Sequence, residues 1–261
     1  MTYPAGSPAY APRVFSRGAL TLIAAVSVAC GSVAAVAEPS PTELLQKAGT
    51  NLKTAKTAHV EGTGSFGIAS GLTLTFDFKV SGDAELPDKS RLTTQMNMLG
   101  QAFSVDTITI GGKTYSKGLG GPGWTEQAGA DPQGAVLDPL GQTDVSNVTN
   151  VTEVDRLDVD GRKTRHISYA IDQAKLLDKM SKANTSTYKI SNASGKGEVW
   201  IRTDDTQIVR QLVKLSFDVE GDLGIPGASP GTGKGTFDIS FDLKFSHIGE
   251  PISPAIIAPP H

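Results

Sequence analysis

The sequence predicts an α+β fold in which an antiparallel β-sheet with one apolar face is combined with a few α-helices. In several long segments, apolar and polar residues alternate with a period of two, which is typical of half-buried antiparallel strands. Only two segments of the 261-residue chain carry a convincing helical pattern. Two short helices cannot cover the apolar face of so many strands, so the sheet must curl around them or leave space between.

Composition narrows the class of protein. The chain has 24 Lys and Arg against 27 Asp and Glu, a net charge of −3 that is unlike a nucleic-acid binder. A hydrophobic fraction of 38% is too low for a multispanning membrane protein and too high for a disordered one. A single Cys excludes an intrachain disulfide and a cysteine-based metal site. We expect no cofactor and no nucleic-acid partner.

The N-terminal segment has the pattern of an export signal. Arg13 and Arg17 precede the apolar stretch 18–37, and the first acidic residue is Glu38. A basic start, an apolar run and small residues at its end are typical of a secretory signal.

Two processing sites compete in this segment. The residues before Cys30 resemble a bacterial lipobox, which predicts a signal peptide at 1–29, a lipid anchor on Cys30 and a linker at 30–39. Cleavage after Ala37 would instead release a secreted protein, and an uncleaved segment would act as a membrane anchor.

The first element of the body is a helix. Ser40 can cap its start, Pro41 suits the first helical position and Glu43 completes a capping box. Apolar residues then recur at helical spacing, and we expect the helix to end near residues 56–58. Those residues are Leu44, Leu45, Ala48, Leu52 and Ala55.

Strands follow, and their apolar positions alternate. A phase change between Val105 and Ile108 predicts a β-bulge, and Asp160-Gly161 predicts a tight hairpin. A second helix is predicted over Asp172–Ala183, with Leu176 and Met180 on its apolar side. A weaker alternation is Leu92, Thr94, Met96 and Met98. The clearest alternations are Leu72, Leu74, Phe76, Phe78 and Val80; Val213, Leu215, Phe217 and Val219; and Phe237, Ile239, Phe241, Leu243 and Phe245.

Candidate catalytic chemistry is weak. The four His residues are dispersed, and none forms the spaced pair of a helical zinc site. His166 and Ser168 share a strand face near Asp172, but the chain has no G-x-S-x-G motif around a serine nucleophile. We therefore predict a protein that is not an enzyme.

Several local patterns, in this order along roughly residues 40–255, resemble the LppX/LprG-type lipoproteins of actinobacteria. They are the lipobox-like start; the helix Pro41–Ala58 followed by His59-Val60; Gly112-Lys113-Thr114-Tyr115 with Gly123-Trp124-Thr125; Leu137-Asp138-Pro139; residues 161–167; Glu198-Val199-Trp200-Ile201; and Phe245–Pro251.

The resemblance implies a curved antiparallel β half-barrel wrapped around a few α-helices, similar to LolA/LolB, over residues 40–255, followed by a tail at 256–261. It implies a cavity for the acyl chains of an envelope lipid or lipoglycan, and transport of that lipid from the plasma membrane toward the outer envelope. It implies no catalytic residues. Its partners would be the lipid, the plasma membrane through Cys30 and a membrane lipid transporter.

The resemblance transfers only a class of lining position, namely apolar and inward-facing on a strand or helix. A filled core is the alternative that periodicity alone favours, and it would make the protein a structural or signalling lipoprotein of the envelope. The predicted lining residues are Leu44, Leu52, Leu72, Leu74, Phe76, Phe78, Phe103, Val105, Leu176, Met180, Leu215, Phe217, Phe237, Ile239, Phe241 and Leu243.

Overall fold

The computed structural model describes residues 38–70, 73–98, 101–118, 123–127, 145–183, 189–221 and 233–260. The predicted signal segment with Cys30 lies outside these residues, and so do Leu72 and the 137–139 motif. Pro39–His261 forms one compact unit.

One antiparallel sheet dominates the described part of the chain, with eleven strands. Across the sheet the order is β6-β5-β4-β3-β2-β1-β11-β10-β9-β8-β7, so the sheet is open, with β6 and β7 at its edges. The predicted α+β class with an antiparallel sheet is confirmed. In chain order the strands are β1 (Thr57–Ala69), β2 (Thr73–Glu85), β3 (Lys89–Met98), β4 (Gln101–Ile110), β5 (Lys113–Lys117), β6 (Thr125–Gln127), β7 (Val148–Val159), β8 (Arg162–Ile171), β9 (Lys189–Arg202), β10 (Ile208–Gly221) and β11 (Gly233–Ser246).

Helix α1 (Pro41–Ala55) begins with the predicted capping box. Ser40 Oγ accepts a hydrogen bond from the backbone N–H of Glu43 at 3.3 Å, and the Glu43 carboxylate accepts one from the backbone N–H of Ser40 at 2.8 Å. The helix ends at Ala55, and Lys56 is its C-cap, with a left-handed φ of 65° and a backbone N–H that donates to the carbonyl of Leu52. Its buried face consists of Leu44, Leu45, Ala48, Gly49 and Leu52.

Helix α1 contacts strands that lie far apart in the sheet order. It contacts β1, β9, β10 and the edge strand β7, so one helix covers strands from the middle of the sheet to its β7 edge. We call the face that α1 contacts the inner face. Helix α2 (Gln173–Ala183) contacts β9. No helix in the described ranges has the length and hydropathy needed to span a bilayer.

The predicted hairpin between β7 and β8 is confirmed. Val159 pairs with Arg162, which leaves Asp160 and Gly161 as the two loop residues, with φ of 50° and 76°. Two successive positive φ angles are the geometry of a type I′ turn, and Gly adopts it without steric cost.

The predicted bulge in β4 is wrong. Strand β4 pairs continuously with β3 across Val105 and Ile108, and with β5 over Asp106–Ile110. The two side chains point to opposite faces of an unbroken strand, and both are buried. The apolar pattern changes phase because the outer face is covered there as well.

The cover on the outer face is the segment after β11, residues 247–260. Its Ile252 and Ile256 pack with Ile108 and Tyr115, and Ile256 is 4% exposed. Arg91 on β3 donates a hydrogen bond from Nη1 to the carbonyl of Pro254 at 3.3 Å. The C-terminal segment is therefore packed against β3–β5 through side chains and a backbone contact.

Candidate functional site: the inner face of the sheet

Strand register places the predicted apolar residues on the inner face in rows that cross the sheet. Because directly paired residues point to the same face, each row can be followed from strand to strand. One row contains Phe76, Phe66, Ile239 and Leu215; the next contains Phe78, Gly64, Phe241 and Val213; a third contains Leu74, Ile68, Phe237 and Phe217.

Under α1 the inner face is packed. Leu45 is fully buried and Leu52 is 3% exposed, and both lie in one cluster with Leu215, Phe241 and Leu243. Five predicted lining residues thus meet here: Leu44, Leu52, Leu215, Phe241 and Leu243. Phe78, Leu176 and Ile239 pack against this cluster.

A second apolar cluster lies under α2. Met180 and Phe217 are buried in it, and Leu176, Phe237 and Ile239 pack against it. The rings of Phe217 and Phe237 stack with centroids 5.5 Å apart and planes 5° from parallel, and Phe66 adjoins Phe237 at 5.5 Å. Aromatic side chains from three adjacent strands therefore form a continuous apolar surface.

Beyond the helices, the inner face of β1–β4 is only half-buried. Leu74, Phe76 and Phe103 keep part of their surface exposed, as do Phe66 and Met96. Phe103 pairs with Met96 and Met96 with Phe78, so this surface continues the rows described above. Val105, two residues from Phe103, is buried at 6% exposure. The inner face thus carries apolar side chains that the described helices leave partly uncovered.

Strand β1 is an element that the sequence analysis missed. Its alternation is interrupted by Gly62 and Gly64, which occupy inner-face positions. A Cβ at Gly64 would lie 2.2 Å from the ring of Phe78, which crosses the strand there. Val60, Phe66 and Ile68 preserve a period of two on either side of the glycines, and that was the available signal.

Two hollows are described, and both lie on the outer face. One, of about 410 Å³, is lined largely by polar residues including Glu61, Lys79, Gln95 and Lys244. The other, of about 170 Å³, lies beside His59, Asp83 and the C-terminal segment. Neither is on the apolar inner face, so the apolar cavity stays a prediction.

The weak catalytic candidates have other partners. His166 lies between the carboxylates of Asp155 and Glu198, at 3.2 and 3.0 Å, and its ring stacks on Trp200. Ser168 Oγ bonds the hydroxyl of Thr152 at 3.2 Å. Asp172 accepts a hydrogen bond from the backbone N–H of Lys175 in the first turn of α2. None of these contacts joins His166, Ser168 and Asp172 to one another. In the described part of the chain no three His, Cys, Asp or Glu residues are grouped to hold a metal ion.

No family model and no curated protein matches the chain significantly. Solved structures do match. The lipoprotein LppX of Mycobacterium tuberculosis is 16% identical with a TM-score of 0.46, and the match covers 83% of this chain and 99% of LppX. LprF of Mycobacterium bovis is 18% identical with a TM-score of 0.45, covering 85% of this chain and 99% of LprF.

A LolA superfamily protein of Nitrosomonas europaea is 9% identical with a TM-score of 0.27, and the match covers 83% of this chain and 96% of that protein. Among solved structures, this chain is thus similar to LppX-type proteins, which its sequence patterns resemble, and to a LolA-type protein, the kind of fold that the resemblance implies.

Proposed function

We propose that the protein binds the acyl chains of a cell-envelope lipid or lipoglycan on its inner face and carries that lipid from the plasma membrane toward the outer envelope. The half-buried apolar surface of β1–β4 carries the proposal. In the same proposal the protein is not an enzyme, and Cys30 holds it to the extracytoplasmic face of the plasma membrane through lipid chains.

The free energy of moving a lipid through water sets what such a carrier needs. Each methylene taken from an apolar environment into water costs about 0.8 kcal/mol, so a sixteen-carbon chain costs roughly 12 kcal/mol. Only an apolar surface of similar extent offsets this cost. The rows through Phe76, Phe78 and Phe237 supply continuous apolar surface, and Met96 can adapt to chains of different shape.

The proposed lining combines the packed clusters with the half-buried strands. The side chains beneath α1 and α2 would either move aside to make room for the acyl chain or add to the apolar surface of β1–β4. The proposed lining residues are Leu44, Leu52, Leu72, Leu74, Phe76, Phe78, Phe103, Val105, Leu176, Met180, Leu215, Phe217, Phe237, Ile239, Phe241 and Leu243.

Native mass spectrometry of the purified protein tests the proposal. We expect co-purified lipid on the wild type, and a loss of about tenfold or more for Phe76→Asp, since a charge beside an acyl chain is costly. Thr75→Asp is the matched control, because Thr75 is exposed on the outer face of the same strand. Wild-type protein that carries no lipid and takes up no acyl probe would overturn the proposal.

A second candidate is a structural or signalling lipoprotein with a filled core. The tight cluster under α1 favours it, since Leu45, Val60 and Ile167 are at most 1% exposed there. In that case the wild type, Phe76→Asp and Thr75→Asp would all carry no lipid. Metabolic labelling with a fatty-acid probe, compared between wild type and Cys30→Ala, tests the anchor under either candidate.

A further inference from the structure

Gln211 is a fully buried polar side chain on the apolar inner face. It lies on β10, directly opposite Leu243 on β11 and Val199 on β9. Its exposure is 0%. Burial removes the water that would hydrogen-bond to the oxygen and to the amino group of this side-chain amide. The free-energy cost is offset only where other groups make those hydrogen bonds.

The partner that Gln211 has is Tyr169 on β8. Its Nε2 donates a hydrogen bond to the Tyr169 hydroxyl at 3.0 Å. Its Oε1 has no partner among the described residues, and none of them accepts the hydroxyl proton of Tyr169. Exchanging the amide oxygen and nitrogen would give that proton an acceptor but leave the amino group without one. In either orientation the pair lacks partners.

Tyr169 is held in this position by its surroundings. Its ring crosses Gly197, where a Cβ would lie 2.1 Å from the ring carbon that bears the hydroxyl. Burial raises the pKa of Tyr169 to about 12, so the hydroxyl keeps its proton at neutral pH and remains a donor. The pair therefore presents one fixed donor and one fixed acceptor side by side in an apolar interior.

Such a pair is matched by a group that both accepts and donates a hydrogen bond. A hydroxyl group does so, whereas an ether or a hydrocarbon does not. Leaving buried groups without partners is costly, and a ligand that supplies them recovers that free energy. The neighbours of the pair, Leu215, Phe241 and Leu243, are themselves proposed lining residues.

We propose that Gln211 and Tyr169 anchor a hydroxyl group of the bound lipid within the apolar interior. The inference rests on the proposed function and adds the chemical class of the ligand, an acyl lipid with a hydroxyl group. Both side chains are buried in the described state, so the proposal requires the interior to open when the group enters. Water offers the same chemistry, and the test separates the two sources.

The test uses two probes of nearly equal length, 1-hexadecanol and hexadecyl methyl ether, each displacing a fluorescent fatty acid from the purified protein. Wild type should bind the alcohol about tenfold more tightly, as one or two well-placed hydrogen bonds allow. Gln211→Met and Tyr169→Phe should each reduce this preference to about twofold or less.

Matched controls make the same chemical changes away from the pair. Gln95→Met changes an exposed glutamine on the outer face of β3. Tyr115→Phe removes a hydroxyl from a side chain that is 6% exposed and packs with Ile108 and Ile256. Both should keep the tenfold preference. Thermal unfolding of the lipid-free proteins supplies a second readout, in which the double variant Gln211→Met/Tyr169→Phe should keep or raise the Tm, because it removes both members of an incompletely partnered buried pair.

Each outcome of these measurements either supports or overturns the proposed anchor. A tenfold preference lost only in the two anchor variants supports the proposal. Equal wild-type affinity for both probes, or a preference that survives Gln211→Met, overturns the anchor and leaves acyl binding standing. Equal affinities together with a lower Tm for the Gln211→Met/Tyr169→Phe double variant indicate bound water only, which also overturns it. No binding of either probe overturns the proposed function and the anchor with it.

Discussion

At the scale of single residues, an ion pair holds the start of the chain's folded unit to its sheet. Arg165 on β8 is 6% exposed, and its Nε donates to the Glu153 carboxylate at 2.9 Å. Its Nη1 donates to the carbonyl of Pro39 at 2.8 Å, just before the cap of α1. One guanidinium thus links β7, β8 and the N-terminal end of the helix.

This pair predicts a pH dependence. The hydrogen bonds from Arg165, followed by those from Arg156, hold the pKa of Glu153 below its ordinary value of 4.5. A lowered folded-state pKa stabilises the protein above the unfolded value, and the contribution is lost as the pH falls through the folded value. Glu153→Gln should therefore lower the free energy of unfolding by about 2 kcal/mol at pH 7, with little difference from wild type at pH 2.

Urea unfolding at both pH values measures the effect. Glu220→Gln is the control, because its pair with Lys234 is exposed on both sides, and exposed pairs contribute less than about 1 kcal/mol. An equal effect of the two substitutions at pH 7 would contradict the role assigned to Arg165.

At the scale of elements, local geometry decides where strands turn. The β7–β8 hairpin needs a residue at φ of 76° at position 161, and β8 in turn carries Arg165, His166 and Tyr169. The turn therefore sets the register of three side chains that make contacts across the sheet.

Gly161→Ala tests this turn. No atom lies within 4 Å of the position where its Cβ would stand, so the cost is backbone strain alone, about 1–2 kcal/mol. Gly123→Ala is the control, since Gly123 has equal space and no left-handed φ. Chemical denaturation measures the free energy of unfolding of both variants. Equal values would contradict the expectation that a Cβ at position 161 strains the turn.

At the scale of the whole molecule, the two ends of the folded unit are joined through the sheet. Strand β1 pairs with β11 from His59 to Ala69, and the segment after β11 turns back over the outer face of β3–β5. That cover explains why Ile108 and Tyr115 are buried on the face opposite α1.

Two adjacent isoleucines test the C-terminal cover. Ile256 is 4% exposed and Ile257 is 71% exposed. Ile256→Ala should lower the free energy of unfolding by about 2–4 kcal/mol, because it leaves a cavity among apolar side chains. Ile257→Ala should change it by less than about 0.5 kcal/mol. Similar losses in thermal or urea unfolding would mean that the segment does not pack as described.

The sequence by itself determined the elements whose causes lie among near neighbours. The α1 cap depends on Ser40 and Glu43, the hairpin on Asp160-Gly161, and β2, β10 and β11 on a period of two. Each follows from bonds or turns that span a few residues, so the pattern alone predicts them. The apolar class of the candidate site followed for the same reason.

Tertiary structure alone decided what depends on distant residues. Strand β1 was hidden because Gly62 and Gly64 leave their inner-face positions to Leu243 and Phe78, from other strands. The buried phase change in β4 depends on the C-terminal segment. The Gln211–Tyr169 pair joins residues 42 positions apart. The spacing of residues along the sequence does not reveal these contacts, because they form only when the folded sheet brings distant segments of the chain together.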